Sequence, residues 1–245
     1  MTVNSIHLKR VNSCLKNIQS SLFPGVCLLC GDACAASRSL CAGCFADLPH
    51  QGSCCRRCAA PLPAAGVCGQ CLQHSPAFAN TVSLFDYRPP VDSLILGLKF
   101  HGRLACARLL GALLAEKLKH VINKDLPDCI IPVPLHPARL RRRGYNQALE
   151  LARPLARVLR LPLDPHSCRR IIATAEQTTL DARMRRRNLR GAFRVVADLG
   201  LRHVALVDDV MTTGHTVQAL SRALRASGVA RVDVWVCARA ILASS

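Results

Sequence analysis

Eleven of the fifteen cysteines lie at or before Cys71, and eight of them form four Cys-x-x-Cys knuckles: Cys27 and Cys30, Cys41 and Cys44, Cys55 and Cys58, Cys68 and Cys71. Two residues between thiols let one tight turn aim both sulfurs at a single ion, and two knuckles complete a tetrahedron around zinc. Four knuckles therefore allow two structural zinc sites. Sequential pairing leaves ten residues between the first two knuckles and nine between the last two, enough for a short hairpin, and a crossed pairing stays open. A disulfide framework fits less well, because the count is odd, no export signal is seen, and a reducing compartment disfavours disulfides. Among the knuckles Cys34 and Cys54 are left over, with Cys14 lying before them, and Cys54, beside Cys55, is an alternative ligand for its knuckle. Large apolar residues are few in this stretch, so metal binding would supply folding free energy that a core cannot.

A second constellation lies near the C-terminus, in His203 to Val217, HVALVDDVMTTGHTV. An apolar strand ends in Asp208 and Asp209. Met211 follows, and then Thr212, Thr213, Gly214, His215 and Thr216 open a helix. Amides at a helix start, threonine hydroxyls and a glycine that admits close backbone approach make an anion cradle. The two acids repel a phosphate, so they suit hydroxyls of a sugar held beside it. The Gly-Lys pair of a nucleoside-triphosphate loop and the G-x-G-x-x-G of dinucleotide folds are both missing from this segment.

These residues need a scaffold, and 245 residues, half of them hydrophobic, suffice for one large domain with a small appendage. With 14 glycines, 14 prolines and no repeat, collagen-like and wholly disordered chains are excluded. Arg108 interrupts the longest apolar run, around Leu104 to Ala115, so no segment reads as a membrane span, and a cytoplasmic location is the default expectation. From Thr81 onward the pattern is α/β. Strands are expected over Thr81 to Tyr87, Cys129 to Val133, Phe193 to Val196, His203 to Val207 and Arg231 to Cys237. Helices are expected over Val91 to Phe100, through Leu110, Leu113, Leu114, Leu118 and Val121, whose leucines are read as core, over Asn146 to Leu159 with a kink at Pro154, and over Thr216 to Ser227. Alternating elements imply a mostly parallel sheet, with ligands beyond the carboxyl ends of its strands. The net charge is +18, and His136 to Arg194 alone holds fifteen arginines, four acids and no lysine. Such a cluster points to an anionic partner: phosphate, pyrophosphate or nucleic acid.

The acids followed by TTG and a further threonine resemble the phosphoribosyl pyrophosphate signature of type I phosphoribosyltransferases. Together with IPVPLHPARLRRRGYNQ at Ile131 to Gln147, RIIATAEQTTLDARMRRRNLRGAF at Arg170 to Phe193, LKFHG at Leu98 to Gly102 and the knuckles, the chain is similar to the ComF family, also called GntX-like, from about Cys27 to Arg239. Tyr145 stands where that family often has Phe. The resemblance implies an N-terminal extension over 1–24, a double zinc ribbon over 25–75 and a type I phosphoribosyltransferase fold over 78–245. It implies that Val133, Pro134, Leu135 and His136 bind pyrophosphate with charge from Arg139 and Arg143. Thr174 to Asn188 would be a flap, with Gln177 and Arg183 facing substrate. Magnesium would be held largely by oxygens of phosphoribosyl pyrophosphate.

Two classes of function follow from the resemblance. As an enzyme, the chain transfers a pentosyl group to an unknown acceptor, with Asp208, Asp209 and Arg183 as the catalytic set. As a binding factor, it senses phosphoribosyl pyrophosphate while handling single-stranded DNA or docking a competence helicase. Aromatic residues make up 4% of the chain, which leaves few stacking platforms for bases. Lys99, after an apolar helix, is read as a snorkelling side chain, and Tyr145 as a packed anchor of its loop. No residue stands out as a general base.

Overall fold

The computed structural model describes residues 25–35, 39–122, 125–173, 191–196 and 198–240. Leu48 ends one compact unit and Pro49 begins another. The first unit holds a two-stranded antiparallel ribbon, β1 (Gly25–Val26) and β2 (Ala33–Cys34), followed by a one-turn helix, α1 (Ala42–Ala46). The second opens with another cysteine-bearing segment that ends in α2 (Gly69–Gln73). In both, the second knuckle begins a five-residue helix, with Cys41 and Cys68 at the N-caps.

Four parallel strands then form the central sheet, in the order β3 (Thr81–Asp86), β8 (Arg231–Arg239), β7 (His203–Met211) and β4 (Cys129–Pro132). The inner strands run longer than their apolar stretches predict. The sequence expectation stops β7 at Val207 and β8 at Cys237, whereas pairing continues through Asp208 to Met211 and on to Arg239. The reason is that backbone pairing with a long neighbour holds polar residues in extended conformation regardless of their side chains.

Helices α3 (Val91–Phe100), α4 (Leu104–Val121) and α6 (Gln147–Leu159) bury Leu94, Leu98, Leu110, Leu114, Leu118, Leu151 and Leu155 fully, whereas Leu113 is only half-buried and Val121, at the end of α4, is exposed. Gly111 is where α4 and α6 meet most closely. A Cβ there would lie 2.5 Å from the Leu151 carbonyl oxygen and 2.6 Å from the Pro154 ring, so Pro154 serves the packing of two helices. On strands buried from both sides, Val204, Leu206, Val232, Val234 and Val236 fall at alternate positions. They share one cluster with Val217, Leu220 and Leu224 of α7 (His215–Ala226) and with Cys55, Cys58 and Cys71. The second four-cysteine segment is thus part of the core that covers the sheet.

Two elements were not legible in the sequence pattern. Pro137–Arg143 is a helix, α5, which the side chain of His136 caps by accepting the Ala138 amide at 3.3 Å and which Gly144 ends in the left-handed region. Cys168–Arg170 is a short strand, β5, antiparallel to β6 (Phe193–Val195). Among the described residues no helix is long and apolar enough to cross a membrane.

Candidate functional site

The knuckles pair sequentially. The sulfurs of Cys27, Cys30, Cys41 and Cys44 lie within 4.8 Å of one another, as do those of Cys55, Cys58, Cys68 and Cys71. Cys54 falls outside its neighbour's cluster, with its backbone bridged to Pro61. Each cluster has a sulfur that accepts an amide across its two knuckles or within one: Cys44 donates to Cys41 Sγ at 3.4 Å and Cys68 to Cys55 Sγ at 3.3 Å. Burial raises the Cys27 thiol, but amides of Cys30, Cys41 and Leu29 outweigh it and bring the group to about 6. Cys55 is brought to about 7 in the same way, burial opposed by the amides of Cys68, Cys58 and Arg57. One sulfur of each tetrad is thus favoured as thiolate, the form that binds zinc. Neighbouring sulfurs and burial push up Cys30, against the Asp32 amide, and Cys44, while burial and then neighbouring sulfurs push up Cys58 and Cys71. A cation shared by four sulfurs relieves that crowding, so the two tetrads fit structural zinc.

The second site lies at the carboxyl ends of the parallel strands. A cleft of about 430 Å³ is lined by Val133, Leu135, Arg139, Arg143, Asp208, Asp209 and Thr216 together with Tyr87, Lys99, Gln147 and Arg170. Strand β7 delivers the two acids. Successive side chains on a strand point to opposite faces, and the acids accordingly have different surroundings. Asp209 is 3% exposed, takes the Val210 amide on Oδ1 at 2.7 Å, and pairs through Oδ2 with Lys99 Nζ at 3.1 Å. Asp208 is half-buried and accepts the Asp209 amide at 2.9 Å. Burial, and then the charge of Asp209, push the Asp208 carboxyl up to about 7, with the Asp209 amide and Lys99 pulling the other way.

After Met211 the chain turns through Thr212 and Thr213 into Gly214, which has φ +75° and caps α7. This position requires glycine twice over: the left-handed backbone disfavours a side chain, and a Cβ would lie 2.6 Å from Met211 Cε. Thr213 Oγ1 lies 3.0 Å from His215 Nδ1, which holds the turn's two polar side chains together. Met211, Thr213, Gly214 and His215 line a second hollow on the turn, Thr212 is exposed, and Thr216 faces the cleft.

Opposite the acids, Val133 continues from β4, with its amide donating to Val207 O at 2.9 Å and its carbonyl accepting from Asn146 Nδ2 at 3.1 Å. Pro134 is buried, Leu135 lines the cleft, and His136 is engaged as the α5 cap. Arg139 and Arg143 project from α5 into the cleft, and the Arg143 guanidinium sits 5.6 Å above the Phe100 ring. Tyr145 donates its hydroxyl to the Leu98 carbonyl, anchoring the loop after α5 to the end of α3.

Two cations of this cleft escaped the sequence reading as site residues. Lys99 is an ion-pair partner of Asp209, where the sequence suggested a snorkelling side chain. Arg170, at the end of β5, is 8% exposed and lies 5.5 Å over the Phe193 ring. Burial, and then the charge of Arg139, lower its pKa, while Asp208 raises it. The alternating burial of Cys168–Arg170 is the local trace of this placement, but three residues are too few to reveal it in sequence. Thr174 to Asn188, with Gln177 and Arg183, lie outside the described residues.

Comparison with known proteins matches a family model described as "double zinc ribbon domain" to residues 18–72. The DNA utilization protein YhgH of Escherichia coli O157:H7 is 39% identical over 220 residues, covering 89% of this chain and 91% of that protein. Competence protein F of Haemophilus influenzae is 37% identical over 221 residues, 87% of this chain and 96% of the relative. The chain belongs to the ComF/GntX-like family. Among solved structures, a purine phosphoribosyltransferase from Pyrococcus horikoshii overlaps 53% of this ComF-like chain and 80% of its own, at 18% identity and a TM-score of 0.33.

Proposed function

We propose that the cleft binds phosphoribosyl pyrophosphate with magnesium. One arrangement carries this reading: adjacent acids at the end of a buried parallel strand, then a glycine-pivoted turn into a helix, with Lys99, Arg139, Arg143 and Arg170 on the cleft walls. Carboxylate acceptors beside a group of cations suit a ligand that carries both hydroxyls and phosphates. On this reading Asp208 and Asp209 accept hydrogen bonds from ribose hydroxyls. Amides and hydroxyls of Thr212 to Thr216 hold the 5′-phosphate at the start of α7, with Met211 packed beneath. The loop Val133 to His136 and the guanidinium groups of Arg139, Arg143 and Arg170 hold the pyrophosphate. Magnesium, when bound with the ligand, neutralises charge on its oxygens. Losing its proton makes both oxygens of Asp208 charged acceptors, so the ionised carboxylate holds a hydroxyl more strongly than the neutral acid.

The chemistry that fits is displacement of pyrophosphate by an acceptor not yet identified, with the arginines stabilising the leaving charge and Arg183 in the role the resemblance implies. The printed names of the relatives, a DNA utilization protein and a competence protein, support a place in DNA uptake during natural competence. Arg141 and Arg142, exposed on α5, favour a second reading in which the same family member also contacts single-stranded DNA. A competence helicase would be the other partner. Titration calorimetry with phosphoribosyl pyrophosphate and magnesium tests the primary reading. The wild-type chain should saturate, and the double variant Asp208→Asn, Asp209→Asn should bind at least roughly tenfold more weakly, the order expected for losing two charge-assisted hydrogen bonds. Equal binding would refute the assignment. Single-stranded DNA titrated at two salt concentrations tests the second reading, and no binding at low salt removes it.

A further inference from the structure

The second cysteine tetrad and the anion turn are joined by one buried side chain. Arg239, the last residue of β8, is 7% exposed, and no carboxylate among the described residues pairs with it. Its guanidinium is spent on backbone carbonyls. Nε donates to Cys58 O at 2.9 Å, and Nη1 donates to Met211 O at 3.1 Å, to Ala240 O at 2.6 Å and to Thr212 O. Cys58 is a cluster cysteine, whereas Met211 and Thr212 begin the turn that leads to Gly214. A buried cation held only by carbonyls is an expensive arrangement unless those carbonyls must be fixed.

Further contacts fix the knuckle to the sheet and join the turn to the tetrad. The turn between Cys55 and Cys58 is pinned to the sheet at Thr81, whose amide donates to Arg56 O at 2.9 Å and whose hydroxyl donates to Arg57 O at 2.6 Å. Three successive carbonyls of this knuckle are thus tied down by strand residues. Met211 shares the buried cluster with Cys58 and Cys71, and its Cε lies against Gly214. All of these bonds lie within one compact unit.

We propose that Arg239 is a positioning residue that couples the Cys55–Cys71 centre to the Met211–Thr216 turn. Metal in that centre fixes the Cys58 carbonyl, Arg239 transmits the position to Met211 and Thr212, and ligand on the turn in return retains the metal. Reciprocity is a thermodynamic requirement of such coupling. The ligand half rests on the reading of the turn as a site for phosphoribosyl pyrophosphate. The first tetrad serves as the internal control.

The test uses the full zinc-loaded chain. Zinc release to a zinc-selective chelator is timed with and without phosphoribosyl pyrophosphate in excess magnesium, and alkylation of the freed thiols assigns each ion to its tetrad. Release from Cys55–Cys71 should slow by roughly fivefold or more with ligand, a modest coupling on the usual scale, while release from Cys27–Cys44 is unchanged. Arg239→Gln should abolish the difference and weaken the ligand roughly fivefold or more, and Arg239→Lys, which keeps the charge and lacks the fork, should not rescue it. Equal slowing of both ions, slowing of neither while ligand is bound, or wild-type affinity in Arg239→Gln would overturn the coupling. A ligand-free arm separates this failure from that of the site itself. Amide hydrogen exchange at 212–216 should speed up when the second ion is stripped from the wild-type chain, with α4 and α6 still protected, and unchanged exchange there would overturn the proposal even if the chain bound no sugar ester. The release and exchange measurements on wild type stand if a variant does not fold.

Discussion

Replacing Asp208 by asparagine should stabilise the ligand-free protein while removing its hold on a sugar. The carboxyl is half-buried beside Asp209 and titrates near 7 in place of its ordinary 3.8, burial being the first cause and the Asp209 charge the second. The sign follows from proton counts. Between pH 3.8 and 7 the unfolded chain has released this proton and the folded chain keeps it, so the native state binds more protons and stability falls as pH rises; above about 7 the loss levels off. A shift of about three pKa units at 1.36 kcal/mol each gives a ceiling of about 4 kcal/mol. The influence of Lys99 is already contained in that figure, and side-chain relaxation and water penetration at this half-buried site bring the expected gain to about 1–2 kcal/mol. For a chain of this length that is a rise of roughly 3–8 °C in Tm. Asparagine keeps the carbonyl oxygen that accepts the Asp209 amide, so the swap removes charge without removing that bond. Scanning calorimetry of both proteins from pH 5.5 to 8 is the assay, and the gain at pH 5.5 should be roughly half that at pH 8. A gain that is absent, independent of pH, or larger in acid would refute the electrostatic account of this strand end.

The same titration predicts that phosphoribosyl pyrophosphate binds more tightly as pH rises from 6 to 8 and expels about half a proton at pH 7, measurable by calorimetry in buffers of different ionisation enthalpy; pH-independent affinity would contradict it. Gly214→Ala should destabilise the protein by about 1–2 kcal/mol, since alanine at φ +75° is strained and its Cβ meets Met211, and wild-type Tm would show the turn to be slack. Cys54→Ser should keep two zinc ions per chain by elemental analysis, whereas Cys55→Ser should keep one. If the two variants lose zinc alike, the ligand assignment at that knuckle is wrong.

The sheet was legible because its strands are long enough for pattern to register. HVALV before the acids and the valine-rich RVDVWVC near the C-terminus have the length and β-branched content of strands in a sheet covered on both faces. The leucine spacing of α4 and α6 likewise pointed to most of their inward positions, and the Cys-x-x-Cys spacing singled out the eight cysteines that the fold gathers into two tetrads, although it left their pairing and the place of Cys54 open. Short elements were hidden. Helix α5 has no apolar stripe to detect, although Pro137 at its start and Gly144 at its end are the terminal signals such a helix leaves in sequence. The cleft's cations divide on the same line. Arg139 and Arg143 sit in a motif, while Lys99 and Arg170 come from segments 110 and 38 residues before Asp209 and Asp208 respectively, and only folding brings them there.

What remained invisible in sequence is also what ties stability to binding in this chain. Before any ligand arrives, Asp208 repels Asp209, Arg170 is opposed by Arg139, and Lys99, which pairs with Asp209, offsets only part of the burial and repulsion at Asp208. Apolar side chains in those places would pack with less strain on the fold. The counterweight lies on the other side of the strand ends. There Arg239 and Met211 tie the turn to the core that contains the second cysteine tetrad. A ligand with hydroxyls for the acids and phosphates for the guanidinium groups relieves both repulsions at once. On the proposed reading of the cleft, the electrostatic stress of the free site becomes part of its affinity, and weakening the scaffold around Arg239 should lower binding even though that residue lines no wall of the acid cleft.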